Sequence, residues 1–214
     1  MDENELIQEF DKQVENLIQK GYSKAFGKTN EEFIALLTPL KNIVQTLVVS
    51  HIDLHTGYLP FVIVIKNEVV PTHIAMSLVE KDGKQGITKL YPHEPKDFQV
   101  IDQENIPDGF AYVIVDVDRG KESINLTPSE ALKDITLAHR HPLTIDEGLA
   151  IITHYPEFLM KNNCFSLLAS RHVGDKRVPA IWINSKKQPN LGWCWEGNPH
   201  TWLGSASCGK REGF

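Results

Sequence analysis

With 214 residues, 41% hydrophobic and 23% charged, the chain has the composition of a folded globular protein and the length to bury one sizeable core. Residues 1–163 carry 15 Lys+Arg against 25 Asp+Glu and residues 164–214 carry 7 against 3, within a net charge of −6. So acidic a body excludes nucleic-acid binding by phosphate neutralisation.

No run approaches the roughly 20 apolar residues that span a bilayer. Met1–Glu5 is acidic where a secretory leader is basic, and three Cys are too few for a disulfide scaffold. The expectation is a soluble cytoplasmic protein with reduced thiols, free of nucleic acid and membrane.

The first element is an amphipathic helix over 3–20, with Leu6, Ile7, Phe10, Val14, Leu17 and Ile18 at helical spacing and Gly21 placed to end it. Thr29 and Glu32 form a capping-box pattern that opens a second helix, which Pro39 should kink or stop. Residues 1–43 are therefore predicted as a helical hairpin appended to one α+β domain over 44–214. The hairpin would dock on that body, or pair two copies into a homodimer through residues 3–20 and 30–43.

Strands follow. Phe61–Ile65 and Ala111–Val115 are continuous apolar runs of the kind buried on both faces, and Ile74–Val79 is a further candidate. Residues 90–108 lack periodicity and read as loop, with a short strand near Val100. Thr127-Pro128-Ser129-Glu130 and Thr144-Ile145-Asp146-Glu147 are helix starts, the second helix ending before Pro156. Strands resume at Cys164–Ala169 and Val178–Ile183. The order implies an α+β fold, a mixed or antiparallel sheet packed by helices.

The densest chemistry lies at Leu191–Cys208, with three of the four Trp, two of the three Cys and one His. Glu196-Gly197-Asn198-Pro199 is turn chemistry, so Leu191–Trp195 and His200–Gly204 read as the arms of a hairpin. An even loop would set Trp193, Trp195, His200 and Trp202 on one face and Cys194 on the other. That face suits stacking of a ring or a cation. It is also what an aromatic core anchor looks like. The candidate ligand-binding residues are Trp193, Trp195, Asn198, His200, Trp202 and Arg177. An enzyme using Cys/His chemistry would draw on Cys194, Cys208 and His200, and a Cys/His metal site would use Cys164, Cys194, Cys208 and His200, without a spacing that fixes it. No cofactor is implied.

Weaker constellations are His51-Ile52-Asp53-Leu54-His55, which on a strand would present two His and a carboxylate together, and the Asp116/Asp118 pair at a strand end. His139-Arg140-His141 reads as helix termination. Walker, GxGxxG, HExxH and GxSxG motifs are absent from the sequence.

The segments Ser170-Arg171, Arg177–Trp182, Leu191–Trp195 and Gly197–Gly204 resemble a family of uncharacterised bacterial proteins. Pro142–Gly148 and Thr153–Glu157 share in the likeness, which spans mainly residues 110–210. That family carries no known function, so the resemblance implies no reaction, cofactor or catalytic residue.

Overall fold

The N-terminal helices form where capping and periodicity place them. α1 (Glu3–Gln19) starts at an Asp2/Glu5 capping box, α2 (Tyr22–Ala25) follows Gly21, and α3 (Asn30–Val44) starts at the Thr29/Glu32 box. The structure, a computed structural model, describes residues 1–101, 105–172 and 174–213. α3 runs unbroken through Pro39. The proline and Ala35, whose carbonyl loses its helical donor, are both exposed, so water replaces that bond. Leu6, Phe10 and Leu17 of α1 and Phe33, Leu37 and Leu40 of α3 are buried in the same cluster as the strands that follow.

The remaining elements, in chain order, are β1 (Tyr58–Ile65), α4 (Thr72–Leu78), β2 (Glu80–Lys81), β3 (Lys84–Gln85), β4 (Ile87–Thr88), β5 (Phe98–Val100) and β6 (Ala111–Asp118). Then come α5 (Pro128–Leu137), β7 (His141–Pro142), α6 (Ile145–His154), β8 (Cys164–Ser166), β9 (Ser170–His172) and β10 (Arg177–Ile183). The chain closes with β11 (Pro189–Trp195), β12 (Leu203–Ser205), β13 (Ser207–Cys208) and β14 (Lys210–Gly213). The fold is α+β, as expected. The loop reading of 90–108 holds around β5; its residues 102–104 lie outside the described residues.

One sheet runs β1-β6-β13-β7, with β14 also on β6; a second, mixed sheet runs β12-β8-β10-β11-β4. β2–β3 and β5–β9 are small antiparallel pairs. α6 is buried nearly all round, as a helix enclosed by other elements must be. Gly148 explains its closeness to the second sheet: a Cβ there would lie 2.5 Å from Leu167 and 3.1 Å from Ile181.

The outer edge of β1 is closed by a side chain instead of a strand. Gln13 donates from Nε2 to Phe61 O (3.2 Å) and accepts from Ile63 N–H at Oε1 (2.8 Å). His154 Nε2 meets Ile63 O at 3.1 Å. Edge backbone that would recruit another chain is thereby satisfied from α1 and α6.

Three expected elements differ. Ile74–Leu78 lies in helix α4, whose buried residues Thr72, Ala75 and Met76 follow a helical period, and Val79 caps it in extended conformation. His51–His55 is a turn, in which Asp53 Oδ1 accepts from the N–H groups of His55 and Thr56. The hairpin of Leu191–Trp195 with His200–Gly204 does not form. β11 pairs instead with β10, in the register Arg177↔Trp195, Pro179↔Trp193 and Ile181↔Leu191, while β12 joins the far edge of that sheet beside β8. The hairpin that β11 does form is with the preceding strand β10, through residues 184–188, and β12 pairs with the more distant β8.

Candidate functional site

The corrected register redistributes the aromatic residues. Trp193 and Trp195 lie on the β10–β11 face that carries Arg177, their ring centroids 5.3 Å apart. Trp182 pairs with Asn190 and so belongs to the opposite face, where its ring crosses Gly192; a Cβ on that glycine would lie 2.2 Å from it. Trp202 stacks edge-on against Trp182 (6.3 Å), and His200 packs on Trp202 (5.2 Å). The expected single face of Trp193, Trp195, His200 and Trp202 is thus two separate aromatic groups. Asn198 lies exposed in the turn, where its N–H donates to Trp195 O.

The three thiols are dispersed and buried. Cys194 shares the Trp182 face, with its sulfur 3.9 Å from Ser166 Oγ. His200 packs on Trp202, its Nε2 makes no hydrogen bond, and the hydrogen-bond partner of the Cys194 sulfur is Ser166. Burial pushes all three thiols above the ordinary range, and buried Glu147 adds to the effect at Cys208. A thiolate nucleophile needs the opposite shift. Asp116 and Asp118 do not act together either: Asp116 is held by Arg140 (2.6 Å) and Asp118 by Gly120 N–H.

At the open end of β10–β11 the fold collects groups that are remote in sequence. His172 ends β9, which pairs with β5 in the register Phe98↔His172. His93 and Asp97 come from the segment between β4 and β5. That segment is tied to the second sheet by Lys89 N–H to Leu191 O (2.7 Å) and by Trp193 Nε1–H to Tyr91 O (3.1 Å). The two imidazoles lie against each other, centroids 3.9 Å apart and planes inclined by 54°, and both meet the Phe98 ring edge-on.

Two carboxylates flank the rings. Asp97 Oδ2 accepts from Glu94 N–H (2.8 Å) and lies 3.9 Å from His93 Nδ1. Asp175 approaches His172 Nδ1 at 3.3 Å and His93 Nε2 at 3.6 Å. Neither of these facing imidazole nitrogens makes a hydrogen bond, although both are buried. Asp175 is in turn anchored by the Arg177 backbone N–H (2.8 Å) and guanidinium. Desolvation opposes ionisation of its carboxyl, but those Arg177 bonds prevail and hold it below the usual carboxylate range.

The guanidinium carbon of Arg177 sits 4.4 Å from the Trp193 ring and 4.6 Å from the Trp195 ring. The cation that this aromatic pair can hold is therefore the protein's own. Arg177, Trp193 and Trp195 come together here; Asn198, His200, Trp202 and the cysteines do not join them. His93, Asp97, His172 and Asp175 escaped the sequence reading. The available signal was two short-range His–carboxylate pairs, at i,i+4 and i,i+3.

A separate cleft of about 350 Å³ runs between Lys66–Glu68 and Pro95–Val100, floored by Tyr112, Thr144 and Asp146. No Trp lines it. Burial raises the Asp146 carboxyl to about 6, although Asn67 N–H donates to it.

A family model of unknown function, DUF5701, matches residues 16–214. The chain belongs to that family. Its members carry no assigned reaction, and neither a curated protein nor a solved structure matches the chain. No helix among the described residues is long and apolar enough to cross a membrane.

Proposed function

We propose that the protein is a ligand-binding domain whose site is the His93–Asp97–His172–Asp175 cluster, backed by the Arg177–Trp193–Trp195 stack. The observation that carries this reading is the convergence of His93, Asp97 and His172, each of which brings a ligand atom to within 4.8 Å of the other two. Beside Asp175, His93 Nε2 and His172 Nδ1 are buried without an aligned hydrogen bond, so the cluster is not closed by bonds of its own. The aromatic residues serve the site by holding Arg177, and the buried, protonated thiols argue against a Cys-based enzyme. Free thiols fit a reducing compartment such as a bacterial cytoplasm. On this reading the Arg177–Trp182 and Leu191–Trp195 runs belong to the family signature because they carry Arg177, Trp193 and Trp195, which back the site.

A thermal-shift panel of divalent metals, inorganic phosphate, dicarboxylates and amino acids tests it. A true ligand at 100 times its Kd stabilises by about 2.7 kcal/mol, or roughly 5–10 °C in a chain of this size. At least one panel member should stabilise the wild type and leave a His93→Ala/His172→Ala variant unmoved. If every active compound shifts both proteins equally, the site lies elsewhere.

A further inference from the structure

We infer that this site holds a divalent first-row transition-metal ion, ligated by His93, Asp97 and His172, with Asp175 as the outer carboxylate that orients both imidazoles. The inference builds on the ligand-binding reading and names the ligand. Its first support is donor chemistry. His93, Asp97 and His172 each bring a ligand atom to within 4.8 Å of the other two. Metal–ligand bonds of roughly 2.0–2.2 Å place donors about 3–4.3 Å apart, so side-chain rotation of less than about an ångström closes the shell. Two imidazoles and one carboxylate favour zinc, cobalt, nickel or ferrous iron; magnesium and calcium take all-oxygen sites.

The second support is the arrangement behind the donors. Each ring directs one nitrogen at Asp175: Nε2 of His93 at 3.6 Å and Nδ1 of His172 at 3.3 Å. His93 Nδ1 is then left facing Asp97, and His172 Nε2 is that ring's remaining donor. Metal-bound histidines are oriented in this way, the second nitrogen donating to a carboxylate that fixes tautomer and ring angle. Here one carboxylate serves both rings.

The third support is rigidity. Arg177 holds Asp175 through backbone and side chain, and Trp193 and Trp195 hold Arg177. Trp193 also bonds Tyr91, two residues before His93. The chain of contacts closes on itself, from one ligand's segment to the other's. The His side chains are only 18% and 13% exposed and Asp97 is 36% exposed, so an ion enters past Asp97. The rival account is an ion-pair cluster, in which protonated histidine simply neutralises the two aspartates; it requires no metal.

The test uses the untagged full chain, dialysed against chelator. Titration with cobalt(II), followed by visible absorption, and with zinc(II), by calorimetry, should each saturate at one equivalent. His93→Ala and His172→Ala should abolish binding, with His172→Asn as the size-conserving alternative if an alanine variant does not fold. Asp175→Asn should keep the stoichiometry but weaken affinity about 10–100-fold and alter the cobalt spectrum. Absence of saturable binding, or binding that survives both histidine substitutions, overturns the metal assignment. Wild-type affinity and spectrum in Asp175→Asn overturn the role given to that carboxylate. Should metals fail while another panel compound still stabilises in a His93/His172-dependent way, the metal inference alone falls and the ligand-binding reading stands.

Discussion

Two regions bury charge, and they do it differently. Inside the core, Glu147 is fully enclosed and accepts from Tyr112 OH (2.9 Å), Arg211 Nε (2.5 Å) and NH2 (3.0 Å), and Thr144 N–H (2.7 Å). Arg211 also donates to Pro142 O. That carboxylate is saturated, and it ties the start of α6 to β14 and β6. At the end of β10–β11, His93 and His172 lie beside Asp175 without an aligned hydrogen bond between them. The Glu147 carboxylate is tied by four aligned donors, even though Arg211 Nη1 has no partner, whereas Asp175 and the two imidazoles make no aligned bond to each other.

The contrast can be broken by substitution. Glu147→Gln strands the Arg211 charge in the core and should cost about 3–5 kcal/mol in urea denaturation. Restoring neutrality with Glu147→Gln/Arg211→Met should recover part of that loss; no recovery would mean the pair is not a unit. Gln13→Ala uncovers the edge of β1 and should cost about 1–3 kcal/mol by the same measurement, because a backbone donor and an acceptor lose their partner together.

His154 gives a pH-dependent case. Burial lowers its pKa from 6.5 to about 3, against the favourable bond to Ile63 O. Between those values the unfolded chain takes up a proton that the folded one refuses, so stability falls as pH drops from about 6.5 toward 3. Asp146, raised from 3.8 to about 6, works in the opposite sense: its ionisation removes stability as pH rises through about 6. The gap between urea midpoints of His154→Asn and wild type should therefore shift in favour of the variant on acidification from pH 7 to pH 4.5. A constant gap would contradict the buried, neutral state of His154.

At the proposed site the effects on stability should be smaller. His93→Ala/His172→Ala removes two mostly buried rings packed on each other and on Phe98 and should cost the metal-free protein about 1–2 kcal/mol, less than Glu147→Gln. A loss comparable to Glu147→Gln would place the cluster among the structural networks. The smallest effect concerns the thiols: with pKa values pushed up by burial, none should react appreciably with an alkylating probe until the chain unfolds.

Features written in short-range chemistry were legible in the sequence. The Thr29/Glu32, Thr127/Glu130 and Thr144/Glu147 boxes each start a helix in the structure. The apolar runs Phe61–Ile65 and Ala111–Val115 became β1 and β6, paired along their length. What failed was the choice of partner: β11 forms a hairpin with the strand before it, and the strand after it goes to a distant one. Glu196–Pro199 has turn residues, but β11 found β10 first and the chain after the turn crosses to β8.

The candidate site shows the same limit. His51, Asp53 and His55 have the donors of a two-histidine, one-carboxylate site in a short span, yet Asp53 is consumed by its own turn and His51 turns to Glu5 (3.2 Å). The equivalent set that does assemble needs β9 to pair with β5 and the β4–β5 segment to fold over β11. Donor chemistry of that kind was therefore readable as a type, but its location was not. Arg177, Trp193 and Trp195 were readable as residues of interest, although their role as a clamp on the protein's own cation needed the register of β10 on β11.

The most direct test is diffraction from crystals of the full chain grown with cobalt(II), with data collected on both sides of the cobalt absorption edge. The account predicts one strong anomalous peak bounded by His93, Asp97 and His172, with Asp175 hydrogen-bonded to the far nitrogens of both rings. A map with no peak there, and with His93 and His172 both bonded to Asp175 as a closed ion-pair cluster, would contradict it.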